Sequence, residues 1–194
     1  MQFLDSKENG FTLIEIVVAA TLFAFVVTSL LGVYLSTLRL DSRTRAQRAV
    51  SDNARFIMEF MAKEVRNGHI DYTSSGCGSV LTSVTDLCLI NQGNEAEHIY
   101  AETPSALGTP AGTNLVLAKG ASSSNLNSSA VRITKLKFLV TPAHDPLLSS
   151  SQASGYNEQP HVTVILELTA LSTKDPVKLS LQSTFSQNYY PPRQ

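Results

Sequence analysis

The residues KENGFTLIEIVVAATLFAFVVTSLLGVYL (7–35) decide how this chain is organised. From Phe11 to Leu35 a single ionisable group, Glu15, stands among 25 residues. At about 1.5 Å rise per residue such a run spans roughly 37 Å as a helix, more than the ~30 Å hydrocarbon layer of a bilayer. One membrane-crossing helix is the direct reading. A cleaved secretory signal would have an apolar core of about 7–15 residues closed by small residues. Here the run is longer, and STLRLDSRTRAQR (36–48) follows it. Glu15 is the anomaly, because a carboxylate in hydrocarbon costs about 2.5–3.5 kcal/mol or more unless it is partnered.

The helical pattern continues past the apolar run. Around SDNARFIMEFMAKEVRNG (51–68), apolar residues fall at Val50, Ala54, Ile57, Met61 and Val65, in steps of 4, 3, 4 and 4. Arg48, Asp52, Arg55, Glu59 and Lys63 lie largely off that stripe. This is one dry face of an amphipathic helix, and Asn67-Gly68 supplies its C-terminal stop. The spacing predicts one helix of about 55 residues from near Thr12 to Arg66. No proline precedes Pro104, and Gly32 is the one residue of low helix propensity in the apolar run.

Beyond Gly68 the texture changes to Ser/Thr/Gly-rich loops and short alternating stretches. Strands are predicted at 80–85, 87–91, 97–101, 114–118, 130–141, 161–171 and 177–187. In VRITKLKFLV (131–140) the apolar positions are Val131, Ile133, Leu136, Phe138 and Val140, so the phase slips once between Ile133 and Leu136. HVTVILEL (161–168) and VKLSLQSTF (177–185) alternate, as half-buried antiparallel strands do, with STKDP (172–176) as the turn between them. The Ser-rich segments 122–129 and 149–155 read as mobile surface loops. One sheet packed on the dry stripe would bury both apolar faces, giving an α+β fold.

Composition narrows the function classes. Hydrophobic residues make up 43% of the chain and charged residues 16%, which excludes a disordered or a polytopic membrane protein. The net charge of −1 gives no support for a nucleic-acid partner. Cys77 and Cys88 stand in GCGSVLTSVTDLC (76–88). A disulfide closing a small loop in an oxidising compartment fits them best, with two separate buried thiols as the alternative.

No catalytic constellation is present in the sequence. His69, His98, His144 and His161 are far apart, with no H-E-x-x-H and no G-x-S-x-G. Asp145 and Asp175 precede prolines, where turn duty is expected. Glu95, Glu97 and His98 offer metal-ligating chemistry, but a solvated loop is the simpler reading of GNEAEHIY (93–100). The ending NYYPPRQ (188–194) reads as a strand end closed by prolines, with an interaction tail as the alternative. No enzyme activity, cofactor or metal site is expected.

The stretch GFTLIEIVVAATLFAF (10–25) resembles the prepilin signal of the type IV pilin and type II secretion pseudopilin families. The matching parts are a short leader ending in Gly10, the aromatic Phe11, then Thr12-Leu13-Ile14, and Glu15 five residues after Gly10. SDNARFIMEFMAKEVRNGHID (51–71) and the later strands LKFLVTP, HVTVILELTAL and LSLQSTFSQN are similar to those of minor pilins and minor pseudopilins of the J or PilW type.

The resemblance implies a pilin-like fold with a leader at 1–10, a transmembrane and filament-core helix at 11–35, its amphipathic extension at 36–68 and a β-rich head at 69–194. It implies cleavage between Gly10 and Phe11 by prepilin peptidase, N-methylation of Phe11, and Glu15 as an assembly contact. The expected partners are other pilins or pseudopilins and the inner-membrane assembly platform. The expected location is the bacterial inner membrane, with the leader cytoplasmic and the head periplasmic, and then a filament.

Two features depart from the usual pattern. The leader has only Lys7 against Asp5 and Glu8, and Arg39, Arg43, Arg45 and Arg48 follow the apolar run. Charge counting alone would therefore predict the opposite orientation. A different class of protein, a single-pass anchored binding domain such as a sensor or adhesin, would keep the Gly10–Phe11 bond intact.

Overall fold

The computed structural model describes residues 10–73, 85–102, 113–146, 158–171 and 176–188. The expected strand at 80–85, apart from Thr85, lies outside them, as do the expected loop at 149–155 and all of the 172–176 turn but Pro176. Two compact units are present, Met1–Ser42 and Arg43–Gln194.

Helix α1 runs Leu13–Asn67, 55 residues, matching the length the apolar pattern predicts. Its buried residues are Ala46, Val50, Ala54, Ile57, Met61 and Val65, the expected stripe extended one step toward the N-terminus. Arg55 Nε and Glu59 Oε1 pair at 2.8 Å on the exposed side, the i,i+4 spacing that suits a solvated face.

The strands are β1 (His69–Ile70), β2 (Leu87–Ile90), β3 (Ala96–Glu102), β4 (Asn114–Lys119), β5 (Ser122–Asn125), β6 (Val131–Thr141), β7 (His161–Ala170) and β8 (Lys178–Ser186). They form two antiparallel sheets instead of the single one expected: β1–β2–β3–β4–β5 (sheet A) and β6–β7–β8 (sheet B). The sheets meet through one bridge, where the Thr113 and Ile133 backbones exchange N–H···O bonds of 2.9 Å. The next residue is where the register of β6 against β7 shifts, between Ile133 and Lys135. That bulge is the phase slip visible in the sequence; it re-aims β6, so pairing with sheet A ends after one bridge.

Alternation on β7 buries Val162, Val164, Leu166, Leu168 and Ala170. These residues, with Val131, Ile133, Leu136, Phe138 and Phe185, join Leu87, Leu89, Ile99, Leu115 and Leu117 of sheet A and the α1 stripe in one core. The opposite face of sheet B carries solvent-side pairs such as Thr163 with Thr184, whose hydroxyls lie 2.8 Å apart.

Two strands escape sequence reading. β1 has only two residues, and β5 is SSSN, exposed at every position and expected to be loop. β5 exists because backbone groups pair without regard to side chain: Ser122–Asn125 match Lys119–Val116 across a two-residue turn. Gly120 in that turn has φ +56°, the left-handed value glycine adopts freely. The fully polar side chains suit the edge position.

The end of α1 is held by backbone packing. Gly68 N–H donates to Glu64 O at 2.8 Å, and Asn188 N–H donates to Arg66 O at 3.3 Å. The buried Gln187 accepts from Ile70 N–H at 3.1 Å through Oε1, tying the end of β8 to β1. A Cβ at Gly68 would lie 2.8 Å from Ile90 O and 2.9 Å from Glu64 O, both backbone atoms that cannot swing aside. Gly68→Ala should therefore cost on the order of 1–3 kcal/mol of stability. Thermal unfolding of the detergent-solubilised chain checks this, with Gly32→Ala, where a Cβ meets nothing within 4 Å, as the neutral control.

Candidate functional site

Gly10 and Phe11 precede the helix and are exposed, Phe11 at 78%. α1 begins at Leu13, and its first turn closes on Thr12: Glu15 N–H and Ile16 N–H donate to Thr12 O at 3.1 and 3.3 Å. Thr12 is thus the N-cap and Glu15 the third helical residue. Thr-x-x-Glu is the spacing of a capping box, and a carboxylate in the first turn complements the positive end of the helix dipole. The capping pattern could have been read in the sequence and supplies a local reason for Glu15 within its own chain. It is compatible with a second, external partner for the same carboxylate.

From Leu13 onward large apolar side chains are exposed on every side of the helix, Ile14, Val18, Leu22, Phe25, Leu30 and Tyr34 among them. The stretch is long and apolar enough to cross a membrane, and none of it is buried inside the molecule. Four of its hydroxyls bond to the helix itself. Thr21 donates to Val18 O at 2.8 Å, Thr28 to Ala24 O at 2.9 Å, Ser29 to Phe25 O at 2.8 Å and Thr37 to Val33 O at 3.0 Å. Internal satisfaction of polar groups is what a helix in hydrocarbon requires.

The other sequence candidates separate. Cys88 is buried on β2 and is not a free thiol, while Cys77 lies outside the described residues. The GNEAEHIY segment is not a solvated loop: Glu95 is exposed in the β2–β3 turn, Glu97 is only 1% exposed on β3, and His98 points to the other face of that strand. There His98 Nε2 lies 3.3 Å from Asp86 Oδ1, and its ring stacks on Tyr100 at 4.5 Å. The period of two that makes β3 a strand thus parts Glu97 from His98. Among the described residues no group of three or more His, Cys, Asp or Glu is placed to hold a metal ion.

His69, half-buried in β1, has its pKa lowered by desolvation, with Asp71 and Asp145 opposing. Burial raises that of Tyr72, and Asp145 adds to it. Asp145 is half-buried before Pro146, whereas Asp175 and all of NYYPPRQ except Asn188 fall outside the described residues.

Residues 5–31 match the family model described as the prokaryotic N-terminal methylation motif. The match covers Gly10, Phe11 and Glu15 and ends inside the apolar half of α1. Comparison with curated proteins and with solved structures gives no match. The motif supports a type IV pilin-type precursor, processed by prepilin peptidase and assembled with other pilins. With the apolar helix, it fits membrane anchoring and a pilus.

Proposed function

We propose that the chain is a minor pilin-like structural subunit, assembled at or near the tip of a type IV pilus or a type II secretion pseudopilus. Prepilin peptidase removes residues 1–10 on the cytoplasmic side, and Phe11 becomes the methylated N-terminus. Residues 11–35 anchor the chain in the inner membrane and then enter the filament core. Residues 36–68 extend that helix, and 69–194 form the periplasmic head. The observation that carries this reading is a methylation motif opening directly into a helix that is apolar on all sides and exposed among the described residues.

Such a helix needs lipid or other helices around it. Ala19, Ala20, Ala24 and Gly32 permit close approach of a neighbour. Cleavage also creates a cation, the α-amine of Phe11, one residue before the N-cap. In a bundle, the Glu15 carboxylate of an incoming subunit meets the amine of the subunit already docked, which offsets the burial cost and fixes axial register. The minor assignment rests on the likeness of the sequences LKFLVTP, HVTVILELTAL and LSLQSTFSQN to strands of minor subunits. Cys77 bonded to Cys88 would pin the segment before β2 in the oxidising periplasm.

Intact mass of the membrane-extracted protein tests processing. Expected is the loss of residues 1–10 and a gain of one methyl group, about 14 Da; an intact leader overturns the filament reading in favour of an anchored binding domain. Alkylating the same sample without reduction should leave both cysteines unlabelled, and alkylation after reduction should label both. Glu15→Val should leave the membrane level of the protein unchanged while reducing its recovery in sheared filaments at least several-fold. Recovery equal to wild type would remove Glu15 from the assembly step.

A further inference from the structure

The inward face of sheet A is apolar along most of its length, with Leu87 opposite Ile99 and Ile99 opposite Leu117. At one end the pattern breaks: Leu89 is followed across the sheet by Glu97 and then Lys119. This polar row borders a cavity of about 270 Å³ shared with Lys63 and Glu64 from the last turns of α1 and Asn91 from the β2–β3 turn. Glu97 Oε1 accepts from Lys119 Nζ at 2.5 Å and from Asn91 Nδ2 at 3.0 Å. Its Oε2, equally buried, accepts no hydrogen bond. A buried carboxylate oxygen without a donor is unusual and demands one.

Two of the neighbouring donors are already committed to the other carboxylate oxygen. Lys119 and Asn91 already serve Oε1, and Asn91 also reaches Glu95 Oε2 at 3.2 Å. Lys63, Asn67 and Gln92 also line the cavity, but the side chain that interacts with Glu97 there is the carboxyl of Glu64, which has nothing to donate while ionised. Once protonated it becomes the missing donor, and the repulsion between two neighbouring carboxylates disappears with the same proton. The proton is placed on Glu64, because the Glu97 carboxylate already pairs with the Lys119 ammonium.

We propose that Glu64 and Glu97 share a single proton across this cavity, so that a carboxyl–carboxylate hydrogen bond latches the last turns of α1 onto β3. The proton comes from solvent through the open side of the cavity, and no other group changes its charge. Burial raises the Glu64 pKa most, the charge of Glu97 adds to it, and Lys119 and Lys63 oppose. Glu95 acts on Lys119 from the turn and completes the charged groups around the pair. With the folded pKa above the unfolded one, the native state binds the extra proton. The contribution of Glu64 to stability is then fully present below the ordinary carboxylate range and lost as pH rises through the raised midpoint. The latch closes in acid and opens in alkali. It stands independently of the filament reading.

The test uses the full chain in detergent micelles with ¹³C-labelled glutamate carboxyls, the Glu64 resonance being identified by its absence in Glu64→Gln. Expected is a Glu64 titration above that of ordinary glutamates, returning toward it in Glu97→Gln. Glutamine at 64 mimics the protonated acid and carries its own donor. Glu64→Gln should therefore unfold at a temperature close to wild type near pH 4, and exceed it by a margin growing to several degrees near pH 8. Should Glu97→Gln not fold, the pH profile of Glu64→Gln decides alone. An ordinary Glu64 titration, or a margin independent of pH, overturns the proposal. So does a midpoint unmoved in Glu97→Gln, which would leave burial as the sole cause. Stabilisation of wild type but not of Glu64→Gln by millimolar calcium or magnesium would assign the gap to a metal cation and also overturn it.

Discussion

The structure depends on how one long apolar surface is kept from water. Along α1 the requirement is met in two ways. From Ala46 to Val65 a narrow stripe is covered by the chain's own sheets, and the rest of the circumference is free to be charged. Between Leu13 and Leu40 large apolar side chains point in all directions and stand exposed among the described residues. The first arrangement is folding; the second is a demand placed on the surroundings. A methylation motif at the head of the uncovered part connects that demand with processing and assembly.

Much of the fold was legible because it rests on hydrophobic period. The steps of three and four that marked Val50 to Val65 correspond to the buried line of α1, and the alternation in 161–170 to the buried row of β7. Even the lost beat between Ile133 and Leu136 reappears as the bulge in β6. What escaped is built from backbone. β5 offers no apolar residue, β1 is too short to carry a period, and the division into two sheets follows from where pairing stops. Neither β5 nor β1 leaves a mark in side-chain polarity, and the phase slip in β6 marks a break without saying which strands it parts.

The sites show the same divide. The match at residues 5–31 spans Gly10, Phe11 and Glu15, whose order along the chain is itself the signal that the sequence offers. The cavity beneath α1 is not, since it joins Glu64, Asn91, Glu97 and Lys119 from four separate segments. In GNEAEHIY the residue types suggested one cluster, but strand geometry sends Glu97 inward and His98 outward. Glu97 is then the residue that breaks the apolar face of sheet A, with its charge matched by Lys119 directly across the ladder.

The hydroxyls of Thr21, Thr28, Ser29 and Thr37 bond back to carbonyls of their own helix. They therefore ask nothing of a neighbour, whether acyl chain or protein. Hydroxyls settled internally give the segment no fixed preference for one apolar environment over another. Exchanging its surroundings then breaks none of these four bonds, and shape and the charges at its ends weigh more in the choice between environments.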